Sequence, residues 1–177
     1  AKYSAEQGAF LVHYSSDYVY PGNGTEPWKE TSATGPLSVY GQTKLEGDQA
    51  IAQSGCEHLI FRTSWVYSAR GNNFMKTMLR LAESKPELNI VADQIGAPTP
   101  ARLIAQVTAL AIHSKLETGL YHLAPTGETS WHGFAKEIFH LAGKSTKANP
   151  IPTSDYPTPA TRPLNSRMDI TKLQQAL

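Results

Sequence analysis

Residues 9–17, AFLVHYSSD, form a short and mostly apolar run that ends in three polar residues. An apolar run of this length, preceded by Gly8, predicts a strand buried on both faces, which is typical of a parallel sheet. After a long polar loop, residues 36–48 have a helical composition. A second apolar run, HLIFRT at 58–63, predicts another strand. Strand, helix and strand in this order predict an α/β fold.

The rest of the chain continues the alternation of strands and helices. Helices are predicted at about 37–54, 72–84, 100–113, 130–142 and 169–176, and strands at about 88–91 and 119–124. The segment 149–167 is rich in Pro, Ser and Thr. Its composition fits either an extended segment that wraps the surface or a poorly ordered tail.

Composition excludes several classes of protein. The net charge is +1, from 16 basic and 15 acidic residues scattered through 177 positions, so the basic patch of a nucleic-acid-binding protein is absent. No apolar run approaches the roughly 20 residues that span a bilayer. The single cysteine, Cys56, excludes an internal disulfide and fits a reducing, cytoplasmic compartment. The histidines and the cysteine show no metal-ligand spacing, so no metal site is predicted.

Four residues form the strongest candidate for chemistry. Ser16 and Asp17 follow the first predicted strand, and functional residues of parallel sheets gather where strands end. Tyr40 and Lys44 are four residues apart on the predicted helix, so their side chains share one face. The pKa of a free tyrosine hydroxyl is about 10, and a lysine ammonium one turn away stabilises the deprotonated form. A Tyr-x-x-x-Lys pair alone arises easily by chance; its order after the strand end gives it weight.

The sequence resembles the dTDP-4-dehydrorhamnose reductase family of extended short-chain dehydrogenase/reductases over nearly its whole length. Six segments carry the resemblance: YSSDYVYPG (14–22), PLSVYGQTKLEGD (36–48), FRTSWVYSARGNNF (61–74), DQIGAPTPA (93–101), GLYHLAPTGETSWHGFA (119–135) and YPTPATRPLNSRMD (156–169). Ser16 stands where the family commonly has threonine, and the hydroxyl is retained.

The resemblance implies the C-terminal part of a Rossmann-like doubly wound parallel sheet plus a small substrate-binding α/β subdomain. Residues 1–68 would be the C-terminal half of the NAD(P)-binding domain with its catalytic helix. Residues 69–177 would be mainly the nucleotide-sugar binding region. The Gly-rich phosphate loop of the family does not occur in these residues. We therefore expect a fragment that lacks the N-terminal Gly-rich half, is trimmed at its end and is inactive by itself.

The resemblance also implies an activity, the reduction of the 4-keto group of dTDP-4-dehydro-L-rhamnose to dTDP-L-rhamnose, which supplies rhamnose for surface polysaccharide. The hydride would come from NADPH, with NADH as the alternative cofactor. Tyr40 would donate the proton, and Lys44 would assist Tyr40 and hold the nicotinamide ribose. Ser16 would align the carbonyl oxygen.

Substrate contacts are implied for Ser16, Asp17, Trp65, Asn73 and Arg162. Trp65 would stack or pack against the sugar, and the alternative is that it packs in the core. Asn73 and Arg162 would contact the nucleotide or its diphosphate, because a guanidinium pairs bidentately with phosphate. Both could instead be structural. Three residues of a loop are weaker candidates for the nucleotide pocket: Gln94, Pro98 and Thr99.

Two alternatives stay open at this point. One keeps the fold but assigns an epimerase, or a reductase of another nucleotide sugar. The other is a non-catalytic regulatory subunit of the methionine adenosyltransferase β type. The retained Ser16, Tyr40 and Lys44 favour catalysis, since a subunit that only binds could lose them freely. The expected partner is a nucleotide sugar, without nucleic acid or membrane, and a homodimer is an open possibility.

Overall fold

The computed structural model describes all 177 residues, which form six α-helices and ten β-strands. In chain order these are α1 (Lys2–Glu6), β1 (Leu11–Ser16), α2 (Val39–Ala52), β2 (His58–Thr63), β3 (Val66–Tyr67), α3 (Phe74–Leu81), β4 (Glu87–Val91), β5 (Ile95–Gly96), β6 (Thr99–Pro100), α4 (Ala101–His113), β7 (Gly119–His122), β8 (Thr129–Ser130), α5 (Trp131–Leu141), β9 (Lys147–Ile151), β10 (Asn165–Ser166) and α6 (Thr171–Ala176). None of the helices is both long and apolar enough to cross a membrane.

The central element is a parallel three-stranded sheet in the order β1-β2-β7. All six residues of β2 are buried, as expected for the middle strand of a covered parallel sheet. Ser16 pairs with Thr63, and Arg62 pairs with both Ser15 and His122. The register therefore gathers the polar residues that end the three strands at one edge of the sheet.

Helices cover both faces of this sheet, which makes it doubly wound. On one face α2 packs over an apolar cluster of Ile51, Cys56 and Ile60, with Ala5, Leu11 and Leu120 against it. On the other face α4 and α6 contribute to a larger cluster: Leu59, Phe61, Ile104, Ala111, Leu116, Tyr121, Leu123 and Leu173. Successive residues of β2 point to opposite faces, so Leu59 and Phe61 enter one cluster while Ile60 enters the other.

A third apolar cluster lies between α3, α5 and the parallel pair β4–β9. Its buried members are Met78, Ile90, Ala135, Ile138 and Phe139. Each of the two helices begins at a side-chain cap, Asn73 on α3 and Ser130 on α5. A further small sheet, β10-β5-β8, ties the C-terminal segment to this part of the chain.

Most predicted elements are confirmed, with bounds that differ by a few residues at each end. β1 starts at Leu11 and continues to Ser16, so both serines belong to the strand. Pro100 is the N-cap of α4 and not its first helical residue. The segment 149–167 is extended, since it contains the end of β9 and all of β10.

The division of the chain at residue 68 is too simple. The first 68 residues supply β1, β2 and α2, but β7, α4 and α6 return to the same sheet from the later part of the chain. A parallel sheet needs a crossover before each further strand, so strands that are neighbours in space come from distant positions in the sequence. Only the β4–β9 pair with α3 and α5 forms an apolar cluster separate from the main sheet.

Candidate active site

Ser16 is the last residue of β1 and caps the short 3₁₀ turn Asp17–Val19. Its Oγ accepts a hydrogen bond from the backbone N–H of Tyr18 at 3.1 Å and donates one to Oδ1 of Asp17 at 3.0 Å. The residue is buried, with 6% of its surface exposed. The hydroxyl is thus held by the strand end and by the turn that follows it.

Asp17 is a buried carboxyl for which the structure shows no salt bridge. Burial raises its pKa to about 6, and the nearby hydroxyls of Ser166 and Ser16 oppose that shift. Its second oxygen, Oδ2, is buried and makes no hydrogen bond. The hydroxyl of Thr63, at the end of β2, is buried without a partner as well. Unsatisfied buried acceptors and hydroxyls are uncommon, and each requires a reason.

Tyr40 lies in the first turn of α2, where Ser38 accepts a hydrogen bond from the N–H of Gly41 at 3.2 Å. A Cβ on Gly41 would overlap the carbonyl oxygen of Tyr18, so the helix start touches the turn that carries Asp17. The Tyr40 ring packs edge-on against the Tyr18 ring, with centroids 5.7 Å apart. About half of Tyr40 is exposed (53%). Tyr18 therefore links the helix start to Ser16.

Lys44 lies one turn further along α2, and its side chain is directed to β1. Its Nζ donates to the carbonyl oxygen of Tyr14 at 3.2 Å. An ammonium has three N–H donors, and this bond uses one. β1 is an edge strand of the sheet, since it pairs only with β2. In this chain Tyr40 is half-exposed, and Lys44 lies against Tyr14 of β1.

Arg162 lies close to this group of residues. Burial raises the pKa of Tyr18, the charge of Asp17 adds to the rise, and the Arg162 guanidinium opposes it. The following residues are fixed to Gly22: a Cβ there would overlap Pro163, and the Gly22 carbonyl accepts the N–H of Leu164 at 3.0 Å. Gly22 has a φ of +70°, which favours glycine. Arg162 is exposed and reaches the site from the C-terminal segment.

Trp65 lies just after β2. It has features of both predicted roles, a wall for the sugar and a residue packed in the core. It is half-buried and stacks on Trp131 with a centroid distance of 3.7 Å and an interplanar angle of 14°. A Cβ on Gly96 would lie 2.9 Å from Cε2 of Trp65 and 3.0 Å from Cβ of Ser166. Since Ser166 acts on the pKa of Asp17, Trp65 lies next to the strand-end site.

Asn73 has a complete set of local hydrogen bonds. Its Oδ1 accepts the N–H of Lys76 at 3.1 Å as the cap of α3, and its Nδ2 donates to the carbonyls of Ser68 at 2.8 Å and Arg70 at 3.4 Å. These bonds agree with the structural role left open by the sequence. Gln94 and Thr99 are buried, and Thr99 donates to the carbonyl of Ala97 at 3.1 Å.

A buried polar network beside α2 was not predicted. Arg62 donates from Nε to Asp48 Oδ2 at 3.0 Å and from Nη1 to the Tyr20 hydroxyl at 2.8 Å. The Tyr20 hydroxyl lies 2.6 Å from Nε2 of His122. Burial lowers the His122 pKa to about 4, so its ring is neutral at pH 7. The sequence feature that could have predicted this network is the arginine inside the apolar run HLIFRT, because a buried arginine requires a partner.

A cavity beside Gly96 does not include Tyr40 in its lining. It has a volume of about 310 Å³ and lies between the β5 loop, the loop after β7 and the C-terminal segment, where Gly96, Glu128, Arg167 and Asp169 line it. Arg167 and Glu128 form an ion pair at 2.7 Å across this region. Gly96 is the residue that connects the cavity to Trp65.

The chain as a whole is similar to known proteins. A family model described as the RmlD substrate binding domain matches residues 1–177, the whole chain. The chain belongs to this family. Among curated relatives, the dTDP-4-dehydrorhamnose reductase of Escherichia coli K12 is 52% identical over 99% of this RmlD-family chain. The spore coat polysaccharide biosynthesis protein SpsK of Bacillus subtilis is 38% identical over 98% of it.

Solved structures agree with the family assignment. A dTDP-4-dehydrorhamnose reductase from Bacillus anthracis, in complex with NADP, superposes with a TM-score of 0.93 at 38% identity and covers 97% of the chain. The RmlD-family chain corresponds to 61% of that protein and to 62% of the Escherichia coli relative. A UDP-glucuronic acid 4-epimerase from Bacillus cereus, at 22% identity and a TM-score of 0.78, shares the fold.

Proposed function

We propose that the protein containing this chain reduces the 4-keto group of dTDP-4-dehydro-L-rhamnose to give dTDP-L-rhamnose. The observation that carries the proposal is the contact between two elements: the turn after β1, with Ser16 and Asp17, touches the start of α2, with Tyr40 and Lys44. Relatives at 52% identity with the name dTDP-4-dehydrorhamnose reductase support this substrate.

In this proposal the chain's own residues manage the carbonyl oxygen and a proton. Ser16 donates a hydrogen bond to the carbonyl oxygen and aligns it, which requires its hydroxyl to turn from Asp17. Tyr40 transfers its phenolic proton to that oxygen as negative charge develops on it. The Lys44 ammonium stabilises the phenolate that remains, because an opposite charge nearby favours the charged form.

NADPH is the cofactor we propose, and Tyr40 and Lys44 are the residues of this chain that would hold it. Bound NADPH supplies the hydride that is added to the carbonyl carbon. The residues fit such a group, since Tyr40 is half-exposed and the Lys44 ammonium keeps N–H donors beyond its bond to Tyr14. The NADP complex of the Bacillus anthracis relative supports the same cofactor.

The substrate contacts follow from the same geometry. We propose that Asp17 accepts a hydroxyl of the sugar at its free Oδ2, that Trp65 forms an aromatic wall, and that Arg162 pairs with the diphosphate. Asn73 would act at the edge of the site, because its amide is already bonded to the loop before α3.

Tyr40→Phe in the complete protein tests the proposal. The change removes the proton donor and keeps the ring that packs on Tyr18, so turnover of dTDP-4-dehydro-L-rhamnose with NADPH should fall about 10²–10⁴-fold while the melting temperature is retained. Tyr3→Phe, at an exposed position in α1, is the matched control and should turn over like the wild type. Turnover of Tyr40→Phe within a few-fold of wild type would contradict the assignment.

A panel of nucleotide sugars separates the proposal from its alternatives. We expect reduction of the dTDP-linked 4-keto sugar to exceed that of UDP- and GDP-linked 4-keto sugars in kcat/KM. Epimerised product with no net oxidation of NADPH would support an epimerase. Binding of nucleotide sugars without turnover would support a regulatory subunit.

A further inference from the structure

Trp65 has a backbone conformation that its neighbours must hold in place. Its φ is +48°, in the left-handed region, where a bulky aromatic residue is an outlier. Such conformations persist when the surrounding structure over-determines them, and they cluster at ligand sites. The Trp65 carbonyl accepts the N–H of Thr99 at 3.2 Å, which fixes the backbone. The position of the indole requires a separate explanation.

Two contacts set the position of the Trp65 indole. Trp131, the first residue of α5, covers one face at a centroid distance of 3.7 Å. Gly96 leaves room for the edge of the ring, since any side chain there would meet Cε2 and Cζ2. Both tryptophans stay half-buried, so the pair is not enclosed in a core. The indole of Trp65 therefore lies near Ser166, which is a neighbour of Asp17.

Trp131 is itself held by a series of hydrogen bonds. Its Nε1 donates to Oε1 of Gln94 at 3.1 Å. Gln94 is 4% exposed, and its Nε2 donates to the Thr153 hydroxyl at 3.1 Å. That hydroxyl donates to Asp93 at 2.6 Å, and Asp93 also accepts the backbone N–H of Thr153 at 2.9 Å. Residues after β4 and after β9 thus fix the rotation of Trp131 about its own bonds.

We propose that Trp131 is a positioning residue for Trp65: its stacked ring sets the tilt of the Trp65 indole against a bound nucleotide sugar, and Gln94 locks Trp131 in that orientation. This inference rests on the proposed function, because it takes Trp65 as a wall of the nucleotide-sugar site. Gln94 accepts the Nε1–H of Trp131 from a buried position, so the ring that stacks on Trp65 has a fixed rotation.

Trp131→Leu and Trp131→Phe in the complete protein test the inference. Trp131→Leu removes the stack, so the KM for dTDP-4-dehydro-L-rhamnose and the Kd for dTDP-L-rhamnose should rise about tenfold, as expected for loss of an aromatic pair, while kcat changes less. Trp131→Phe keeps a ring but loses the bond to Gln94 and should give a smaller rise. Stacked indoles also give a coupled circular-dichroism signal, which both variants should lose.

Phe134→Leu is the matched control. Phe134 belongs to the same aromatic group, stacking on Phe74 at 5.6 Å, but it makes no ring contact with Trp65. The control should leave KM, Kd and the circular-dichroism couplet unchanged. If Trp131→Leu does not fold, Trp131→Phe carries the test with the same readouts.

The outcomes separate the inference from the proposed function. Variants that lose the couplet but keep KM and Kd within twofold of wild type would overturn the role of Trp131 alone. A wild-type protein that binds dTDP-L-rhamnose without reducing the keto sugar would refute the proposed activity, and the Kd series would still decide the inference. A wild-type protein that does neither would overturn both.

Discussion

Asp48 and Asp17 are both buried carboxyl groups beside the main sheet, yet their surroundings differ. Asp48 lies between α2 and the sheet, 4% exposed, with the Arg62 guanidinium at 3.0 Å and His13 at 3.8 Å. Asp17 lies at the end of β1, 3% exposed, and its hydrogen-bonding neighbours are hydroxyls. Its Oδ2 has no partner, and burial raises its pKa to about 6.

The two carboxyls differ in their ion-pair partner: Asp48 has the Arg62 guanidinium, and the structure shows no salt bridge for Asp17. Arg62 also binds Tyr20, which lies against His122, so hydrogen bonds from Arg62 connect α2, β2 and β7 around Asp48. The Oδ1 of Asp48, like the Oδ2 of Asp17, is buried without a hydrogen bond. A buried carboxylate without an ion-pair partner weakens the folded protein, and shifted pKa values of this kind cluster at functional sites. The Arg62–Asp48 pair thus fixes α2 relative to the sheet, while for Asp17 we propose a contact with a sugar hydroxyl.

Arg62→Met should give the largest loss of stability. It leaves Asp48 buried without its guanidinium, and breaking a buried pair costs about 3–5 kcal/mol. Urea unfolding of the complete protein measures this loss, and Arg102→Met, at an exposed position in α4, is the control. The double variant Arg62→Met with Asp48→Leu should recover much of the loss, because it removes both charges. If the single variant were as stable as the control, Asp48 and Arg62 would not be a structural pair.

Asp17→Asn should instead increase the stability of the folded protein. The folded pKa of about 6 lies above the ordinary 3.8, so the ionised carboxyl destabilises the folded protein above pH 6. Removing that charge should stabilise the protein by about 1–3 kcal/mol at pH 7. The same variant should bind dTDP-L-rhamnose more weakly, because an amide is a poorer acceptor for a sugar hydroxyl. A variant that is less stable than wild type and binds normally would show that Asp17 is structural, like Asp48.

The sequence was sufficient for the main sheet and for the helix that carries Tyr40 and Lys44, because those features depend on local patterns. The apolar runs predicted β1 and β2, and the spacing of Tyr40 and Lys44 placed both on one helical face. β9 was not predicted, because Pro150 and the polar residues around it are not typical of a strand. Its position is determined by its pairing with β4. The Arg62–Asp48 pair and the stack of the two tryptophans join distant segments, so only tertiary structure brings them together.

The smallest effect concerns how the two regions respond to acid. The folded pKa of Asp17 is raised, so its contribution to stability increases as pH falls from about 6 towards 3.8. His122 behaves in the opposite way: burial lowers its pKa from 6.5 to about 4, so the folded protein loses stability as pH falls through that range. His13, whose pKa burial also lowers, adds to the loss. In wild type these changes partly offset one another between pH 6.5 and 5.

In Asp17→Asn only the histidine contributions remain, so unfolding free energies at pH 7, 6 and 5 should fall more steeply than in wild type. The advantage of the variant at pH 7 should therefore shrink by roughly 1 kcal/mol at pH 5, and an advantage independent of pH would refute the raised pKa of Asp17.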